Sequence, residues 1–365
     1  MRTLDLDHCA LGLCATVAML AGCGNAAQSP LAPPASFQQR SVAPSRLGQL
    51  PVQADRRMSG AAKAGLMAMH LHRGHSWMAP GVTKQDLLYV SNINAGSVAV
   101  YSYPEGKLVG TLTGFHQPDG LCSDKKGDVW IVNSENSHSG EDIVEYKHGG
   151  KTPIATLDDY GQDLVGCSVD PTTGDLAVTN IVSYSNAQGS VAIYTHAKGT
   201  PKLYTDPQMF AVYFCGYDDK GNLYVDGTQV VQSGVFQFAE LPKGKTKFTN
   251  IALKGATIHF PGNVRWDGKY MAVGDQEYTQ LSSGNDESAI YQTTGAGGKI
   301  VGKTVLKGSG DIIGFSIEGK TVIGPDVQWK GEGNAFIWNY PAGGKPIKTL
   351  KGFDGPYGSA VSLAQ

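Results

Sequence analysis

The most constraining feature of the sequence is a short apolar run that ends in Asn or Asp and recurs six times. Representative runs are LLYVSN at 87–92, DVWIVN at 128–133 and NLYVD at 222–226, and each of these units also contains Gly-bounded turns. The terminal residues of the six runs are Asn92, Asn133, Asn180, Asp226, Asp275 and Asp326. Successive members are separated by 41, 47, 46, 49 and 51 residues. A drifting period in the forties, with strand-forming residues in every unit, predicts a β-propeller.

Each unit contains four short strands. In the unit that opens at Pro118, they are expected at 119–124, 128–133, 141–146 and 152–157, with a tight turn at 125–127. The first strands of the units can be counted independently, and they lie around Leu121, Gly166, Phe214, Val264, Gly314 and Ser359. This second count also predicts six blades.

The order of the strands predicts how the ring closes. The first recognisable strand, at Leu87, is a second strand, whereas the last one, at 357–363, is a first strand. The C-terminal strand must therefore complete the first blade, which removes the free edges of the sheet. We predict an all-β, six-bladed propeller of four-stranded blades over residues 81–365. Tyr89, Trp130 and Tyr224 of the second strands should pack between neighbouring blades.

The N-terminal 23 residues are typical of an export signal. The mostly apolar stretch 8–21 is shorter than the roughly 20 apolar residues that span a bilayer comfortably. It ends in Leu20-Ala21-Gly22-Cys23, which resembles a bacterial lipobox and implies lipidation of Cys23. The acidic Asp5 and Asp7 are unusual in such a signal, and a plain secretory signal is the alternative. We expect an exported protein of the cell envelope that is attached to a membrane by its lipid.

Residues 24–80 are rich in Ala, Pro, Gln and Ser, a composition that predicts a flexible tether. Within it, residues 67–78 contain three His and three Met, which are copper ligands in other proteins. The alternative, which we favour, is a segment that docks Trp77 onto the edge of the propeller.

Charge and cysteine content restrict partners and cross-links. The formal net charge is −2, and no basic run is interleaved with aromatic residues, so nucleic acid is not expected as a partner. We expect a monomer. Cys122, Cys167 and Cys215 lie in different repeats, and strands of separate blades rarely bring Cα atoms within roughly 7 Å. These cysteines are therefore expected to be buried apolar residues and not disulfide partners.

Polar residues converge on one predicted face, the loop face, where inner strands begin and second strands end. It should hold the six terminal Asn and Asp residues and a second polar set. The second set comprises His116, Asp119, Asp163, His259, Asp311 and Tyr357. Converging polar groups at a funnel are typical of a binding site, and carboxylates there could hold Ca²⁺ or another divalent ion. The alternative is structural, since Asn and Asp at strand ends often bond their own turn. No other cofactor is expected.

The segment QPDGLCSDKKGDVWI at 117–131 resembles the repeat of NHL-type propellers and a stretch of the SMP-30/gluconolactonase family. Residues 88–92 and 98–101 resemble YVTN-type repeats. The lactonase resemblance implies that Asp119 is a metal ligand and general base. However, Tyr357 stands where that family has an Asn-Gly pair, and no Gly-Glu-x-Pro segment supplies the expected Glu.

The sequence contains no Gly-x-Ser-x-Gly or His-Glu-x-x-His motif. The spacing Gly-x-x-x-x-Gly-Lys occurs at 297–303 and at 314–320, but the long helix that follows a phosphate-binding loop is not predicted after either. We therefore predict a non-enzymatic, lipid-anchored propeller whose loop face binds a protein, a glycan or a small ligand. The alternative is a metal-dependent lactonase or hydrolase that uses Asp119.

Overall fold

The computed structural model describes residues 75–134, 141–159, 162–183, 188–230, 233–279, 287–327 and 333–365. The predicted signal peptide, the lipidation site Cys23 and the tether up to residue 74 lie outside the described residues.

Six antiparallel sheets surround a central channel, and their strands occupy equivalent positions from the channel outward. The innermost strands are β25 (Pro356–Ser362), β5 (Gln117–Ser123), β9 (Gln162–Val169), β13 (Ala211–Tyr217), β17 (Pro261–Trp266) and β21 (Ser316–Glu318). The second strands are β2 (Leu87–Asn92), β6 (Val129–Ser134), β10 (Leu176–Ser183), β14 (Leu223–Val230), β18 (Met271–Asp275) and β22 (Thr321–Asp326). The third strands are β3 (Ser97–Ser102), β7 (Asp142–Tyr146), β11 (Gln188–Tyr194), β15 (Ser233–Leu241), β19 (Ser288–Thr293) and β23 (Gly333–Asn339). The fourth strands are β4 (Leu108–Thr113), β8 (Pro153–Asp158), β12 (Lys202–Tyr204), β16 (Thr249–Asn250), β20 (Ile300–Leu306) and β24 (Lys348–Phe353).

Helical structure among the described residues is limited to short 3-10 turns at Val82–Lys84, Thr195–Ala197 and Gly295–Gly297. None of the helices in this part of the chain is long and apolar enough to cross a membrane.

The predicted closure of the ring is confirmed. Strand β25 pairs antiparallel with β2, with Val361 opposite Leu88 and Ser359 opposite Val90, so the last strand completes blade 1. Blade 1 also gains a fifth strand, β1 (Trp77–Met78), which pairs with the outer strand β4. The propeller therefore begins before the predicted boundary at residue 81, because Trp77 and Met78 supply backbone partners to an otherwise open edge.

Most of the core consists of apolar layers between neighbouring blades, and one cluster also extends around the channel from Tyr213 to Ile313 and Tyr357. Tyr89 lies in the layer between blades 1 and 2, Trp130 between blades 2 and 3, and Tyr224 between blades 4 and 5, which confirms their predicted packing. A blade is covered on both faces, so its second strand is apolar at consecutive positions instead of alternating. All six residues of Leu87–Asn92, for example, are buried.

One cysteine prediction is wrong. Cys122 and Cys167 form a disulfide, with their Cα atoms 5.7 Å apart, whereas Cys215 is free and buried. The two cysteines lie on β5 and β9, innermost strands of adjacent blades, which approach each other much more closely than outer strands do. A Cβ atom on Gly120 would lie only 2.4 Å from the carbonyl oxygen of Val165.

Candidate functional site

The start of the channel on the loop face collects acidic and phenolic side chains from four innermost strands and one connection. Asp119, Asp163 and Asp311 act electrostatically on the phenol of Tyr357, and Tyr213 lies close enough to do the same. Burial is the main cause that raises the pKa of Tyr357 well above its usual range, and these neighbours add to it. These five residues are called the mouth cluster below. It unites four of the residues predicted from sequence with Tyr213, which was not predicted.

Asp119 is a carboxyl group of the mouth cluster with a perturbed pKa. Burial raises its pKa well above the usual range, the charge of Asp163 raises it further, and a hydrogen bond from Ser134 opposes the change. The Ser134 hydroxyl lies 2.7 Å from Asp119 Oδ2 and 2.7 Å from the carbonyl oxygen of Leu164. Asp119 therefore retains its proton to a higher pH than an exposed aspartate does.

Hydroxyl groups of second strands hold two members of the mouth cluster in position. The amide of Gly358 donates to Ser91 Oγ, and Ser91 Oγ donates to the carbonyl oxygen of Asp119, both at 2.7 Å. In blade 3, the amide of Gly166 donates to Thr179 Oγ1 at 3.0 Å, and that hydroxyl donates to the carbonyl oxygen of Tyr213 at 2.7 Å. Each bridge joins the innermost strand of one blade to that of the next.

The terminal Asn and Asp residues are buried inside their blades and not displayed on the loop face. Five of them accept a backbone N–H from residues at or just before the innermost strand of the same blade. These pairs are Asn92 with Asp354 (2.8 Å), Asn133 with His116 (2.8 Å), Asp226 with Phe214 (2.9 Å), Asp275 with His259 (3.1 Å) and Asp326 with Asp311 (3.0 Å). Asn180 instead donates to Ser190 Oγ of the neighbouring strand at 3.1 Å.

These bonds differ from the expected turn bonds because the ladder between innermost and second strands is irregular here. The register shifts between Val90 and Asn92 in blade 1, for example, and between Val212 and Cys215 in blade 4. A bulge leaves backbone N–H groups without a ladder partner, and a buried N–H needs an acceptor. The side chain of Asp226 supplies it for Phe214.

The two histidines predicted at the site, His259 and His116, lie in different surroundings. His259 Nδ1 lies 3.1 Å from Asp275 Oδ2, and the His259 side chain is 28% exposed. It precedes Phe260, whose ring packs edge-on against Tyr213 with centroids 5.4 Å apart. His116 instead acts on the carboxylate of Asp142 in the second blade. His259 therefore adjoins the mouth cluster through Phe260, whereas His116 belongs to the blade surface around Asp142.

The carboxyl groups of the mouth cluster are not arranged as the ligands of a metal ion. Outside the gaps in the described chain, no group of three or more His, Cys, Asp and Glu residues is placed to hold a metal ion. The Ca²⁺ ion considered from sequence, or the metal of a lactonase, would need ligands beyond those that the mouth cluster brings together.

Two functional neighbours were missed for different reasons. Tyr213 lies in the apolar segment Phe210-Ala211-Val212-Tyr213-Phe214, and such a segment is typical of a buried core strand. Its position near the start of an innermost strand, as for Tyr357, was the available signal. Ser134 follows Asn133 directly, and nothing local indicates that its hydroxyl reaches the next blade.

Fold and site together define a six-bladed β-propeller with a polar, partly buried channel mouth. Comparison of the chain with protein-family models gives no match, and comparison with curated proteins gives none. Among solved structures, the chain is similar to one in the crystal structure of a nidogen/laminin complex. The TM-score is 0.57 at 14% identity, covering 77% of this chain and 99% of that one.

A protein of unknown function from Bacteroides caccae has a TM-score of 0.54 at 12% identity, covering 76% of this chain and 99% of that one. TolB from Acinetobacter baumannii has a TM-score of 0.54 at 16% identity, covering 82% of this chain and 72% of that one. At such low identities the likeness concerns the fold alone.

Proposed function

We propose that this chain is a lipid-anchored, extracytoplasmic β-propeller that binds a ligand or protein partner at its loop face without catalysing a reaction. The convergence of the mouth cluster at the start of the channel carries the proposal. A concave site with a few converging polar groups is the usual form of a binding pocket. The resemblance to NHL-type and YVTN-type repeats is part of this proposal.

The chemistry of the mouth cluster favours a ligand with an amino group. Asp163 and Asp311 supply carboxyl oxygens, and Tyr213 and Tyr357 supply aromatic rings beside them. Carboxylates attract an ammonium group directly, whereas the rings of Tyr213 and Tyr357 are buried and support the carboxyl groups without an open face for the ligand. A lysine side chain of a protein partner, or an amino sugar of a glycan, has this chemistry.

The disulfide supports export. Structural disulfides persist in oxidising compartments and are rare in the cytosol, where thiols are kept reduced. Cys122 and Cys167 are bonded to each other across two blades. This agrees with the export signal and the lipobox-like segment that ends in Cys23.

Binding at the mouth is tested with the tripeptide Gly-Lys-Gly and its acetyl-lysine counterpart, followed by calorimetric titration. We expect saturable binding of the free amine, at least tenfold weaker binding of the acetylated peptide, and loss of affinity in Asp163→Asn. Asp354→Asn is the matched control, since Asp354 is an exposed carboxylate of the same face. Equal affinity for the two peptides, or an equal effect of the two variants, would contradict the proposed ligand chemistry.

Membrane attachment is tested by the variant Cys23→Ala. We expect the unmodified chain in the membrane fraction with incorporated labelled palmitate, and the variant without label and released. A variant that stays in the membrane fraction would refute the lipid anchor while leaving the binding proposal intact.

The alternative is a metal-dependent hydrolase, favoured by the perturbed carboxyl group of Asp119. Elemental analysis of the purified protein and a lactone turnover assay distinguish the two functions. A stoichiometric divalent ion that is lost in Asp119→Asn, together with lactone turnover, would establish the hydrolase and overturn the non-enzymatic proposal.

A further inference from the structure

A cavity of about 250 Å³ lies at the end of the channel opposite the mouth cluster. All six innermost strands contribute to its walls near their C-terminal ends, among them Ser123, Ser168, Tyr217, Arg265, Ser316 and Ser359. It is named the exit cavity here. Its volume is below the 300–1,000 Å³ or so of drug-sized ligand pockets, so it suits a single small group.

Arg265 extends across this cavity and contacts three other blades. Its Nη2 donates to the carbonyl oxygen of Leu121 at 2.8 Å, its Nη1 to that of Cys167 at 2.9 Å, and its Nε to that of Phe315 at 3.3 Å. Burial lowers the pKa of Arg265 to about 10, so the guanidinium remains charged at neutral pH. Arg265 therefore fixes a positive charge on the channel axis.

No carboxylate among the described residues pairs with this charge. A guanidinium has five N–H donors, and the three carbonyl bonds leave two of them without an acceptor in the described chain. Glu318 also lines the cavity, but the carboxylate that acts on it is that of Asp86, on the side of blade 1. A partly buried guanidinium whose hydrogen bonds go to neutral carbonyl groups is costly, and a bound anion would compensate it.

Ser168 offers a further donor beside Arg265. Its Oγ accepts the amide of Tyr217 at 3.1 Å, and none of the described residues accepts its hydroxyl proton. Ser123 lines the same cavity but is already engaged, because its hydroxyl donates to the carbonyl oxygen of Val361 at 2.8 Å. The two serines therefore differ in whether they are available to a ligand.

The face around the exit cavity is basic. Two kinds of connection form this face in each blade: the one between the first and second strands and the one between the third and fourth strands. The lysines in these connections are all exposed. They are Lys107, Lys125, Lys126, Lys147, Lys151, Lys198, Lys220, Lys243, Lys245, Lys247, Lys269, Lys299, Lys320 and Lys345. The acidic residues exposed in the same connections are Glu105 and Asp219.

Other acidic residues of this face use their carboxylates within turns. Asp124 accepts the amide of Lys126, and Asp218 accepts that of Lys220. These carboxylates keep their negative charge, but the lysines outnumber the acidic residues of these connections, and an excess of positive charge attracts anions towards the central opening.

We propose that the exit cavity binds a small oxyanion, a carboxylate or phosphate group, through Arg265 and Ser168. This site is separate from the mouth cluster and lies at the other end of the channel. The guanidinium provides two charge-assisted donors, Ser168 provides a neutral one, and the surrounding lysines attract the anion.

The test is calorimetric titration of the full chain with inorganic phosphate and with acetate, at constant ionic strength set by chloride. We expect saturable binding of at least one of them, which also identifies the preferred oxyanion. Arg265→Gln should abolish it, and Ser168→Ala should weaken it roughly tenfold, as expected for one lost hydrogen bond to a charged group. Ser123→Ala is the matched control and should bind as the unmodified chain does.

Arg265→Gln also removes three bonds between blades, so Arg265→Lys is measured beside it. Lysine keeps the charge but not the forked geometry, and a folded Arg265→Lys variant should bind at least tenfold more weakly. The proposal is overturned if neither anion binds saturably, if folded Arg265 variants bind normally, or if Ser123→Ala and Ser168→Ala weaken binding equally.

Discussion

Side chains at the ends of second strands complete the backbone hydrogen bonding of irregular innermost strands. Asn133 accepts the amide of His116 and donates to Asp142 Oδ1 at 2.8 Å, so both ends of its amide are used. Five of the six repeated Asn and Asp residues thus accept a backbone N–H at or before the irregular start of the innermost strand, and Asn180 is the exception. At this scale the terminal residues have a structural role, and polar residues near the start of innermost strands form the candidate site.

Asn133→Ala should lower the free energy of unfolding by about 1–3 kcal/mol, because a buried N–H and a carboxylate lose their partners. Asn94→Ala is the matched control: Asn94 is exposed and bonds Asp354 Oδ1 at 2.9 Å, and its loss should change stability by less than about 0.5 kcal/mol. Urea unfolding measures both. Equal losses of stability in the two variants would show that the hydrogen bonds of Asn133 stabilise the fold no more than the exposed bond of Asn94 does.

Asp226 should make stability depend on pH. It is fully buried, its Oδ2 has no hydrogen-bond partner among the described residues, and burial raises its pKa well above the usual range. The folded state then binds the proton more tightly than the unfolded state, so this contribution to stability falls as the pH rises from about 4 through the raised pKa.

Asp226→Asn keeps an acceptor for Phe214 and cannot ionise. The difference in the free energy of unfolding between this variant and the unmodified chain should therefore shift by about 1–3 kcal/mol in favour of the variant from pH 4 to pH 7. This magnitude is the cost of leaving a polar group buried without a partner. Urea unfolding at both pH values measures the change, with the exposed Asp219→Asn as control. A relative stability that is independent of pH would contradict a raised pKa.

At the scale of elements, the backbones of neighbouring innermost strands approach each other closely. A Cβ atom on Gly358 would meet the carbonyl oxygen of Asp119 at 2.5 Å, and one on Gly314 would meet that of Tyr357 at 2.7 Å. Glycine is required where backbones approach this closely. The same proximity places Cys122 beside Cys167 and lets Ser91 reach both Gly358 and Asp119.

Peptide mapping without reduction should recover Cys122 and Cys167 in one cross-linked peptide pair and Cys215 as a free thiol. The bond closes a loop of sequence separation 45, so replacing both cysteines by Ser should cost about 2–4 kcal/mol of stability in the chain-entropy account. Cys215→Ala is the control for the mapping, since it should leave the cross-linked pair unchanged. Recovery of Cys122 or Cys167 paired with Cys215 would contradict the arrangement of the innermost strands.

At the scale of the whole molecule, the last strand keeps the ring closed. Strand β25 hydrogen-bonds to β2, and Ser123 Oγ of blade 2 donates to Val361 of β25 at 2.8 Å. On the other side, Ser359 of β25 bonds the Ile323 carbonyl of blade 6 at 3.2 Å. The C-terminal strand therefore links the first blade to both of its neighbours.

Deletion of residues 355–365 should abolish cooperative unfolding and cause aggregation, because β2 becomes an open edge beside exposed apolar layers. Removal of residues 364–365 is the control and loses the bond from the Ala364 amide to Asp86 and the exposed bond from Gln365 to the Leu363 carbonyl oxygen, at a cost of about 1 kcal/mol. Thermal unfolding and light scattering measure both. A cooperative, soluble form of the larger deletion would show that closure is dispensable.

The sequence by itself determined the number of blades, the order of their strands and the closure by the C-terminus, because these follow from local, periodic patterns. It also indicated Asp119, Asp163, Asp311 and Tyr357, since polar residues at the same strand position must share a face. Only the tertiary structure decided that Cys122 bonds Cys167, that Tyr213 joins the mouth and that Arg265 crosses the channel. Those contacts depend on the distance between innermost strands, which the packing of all six blades sets and no single repeat encodes.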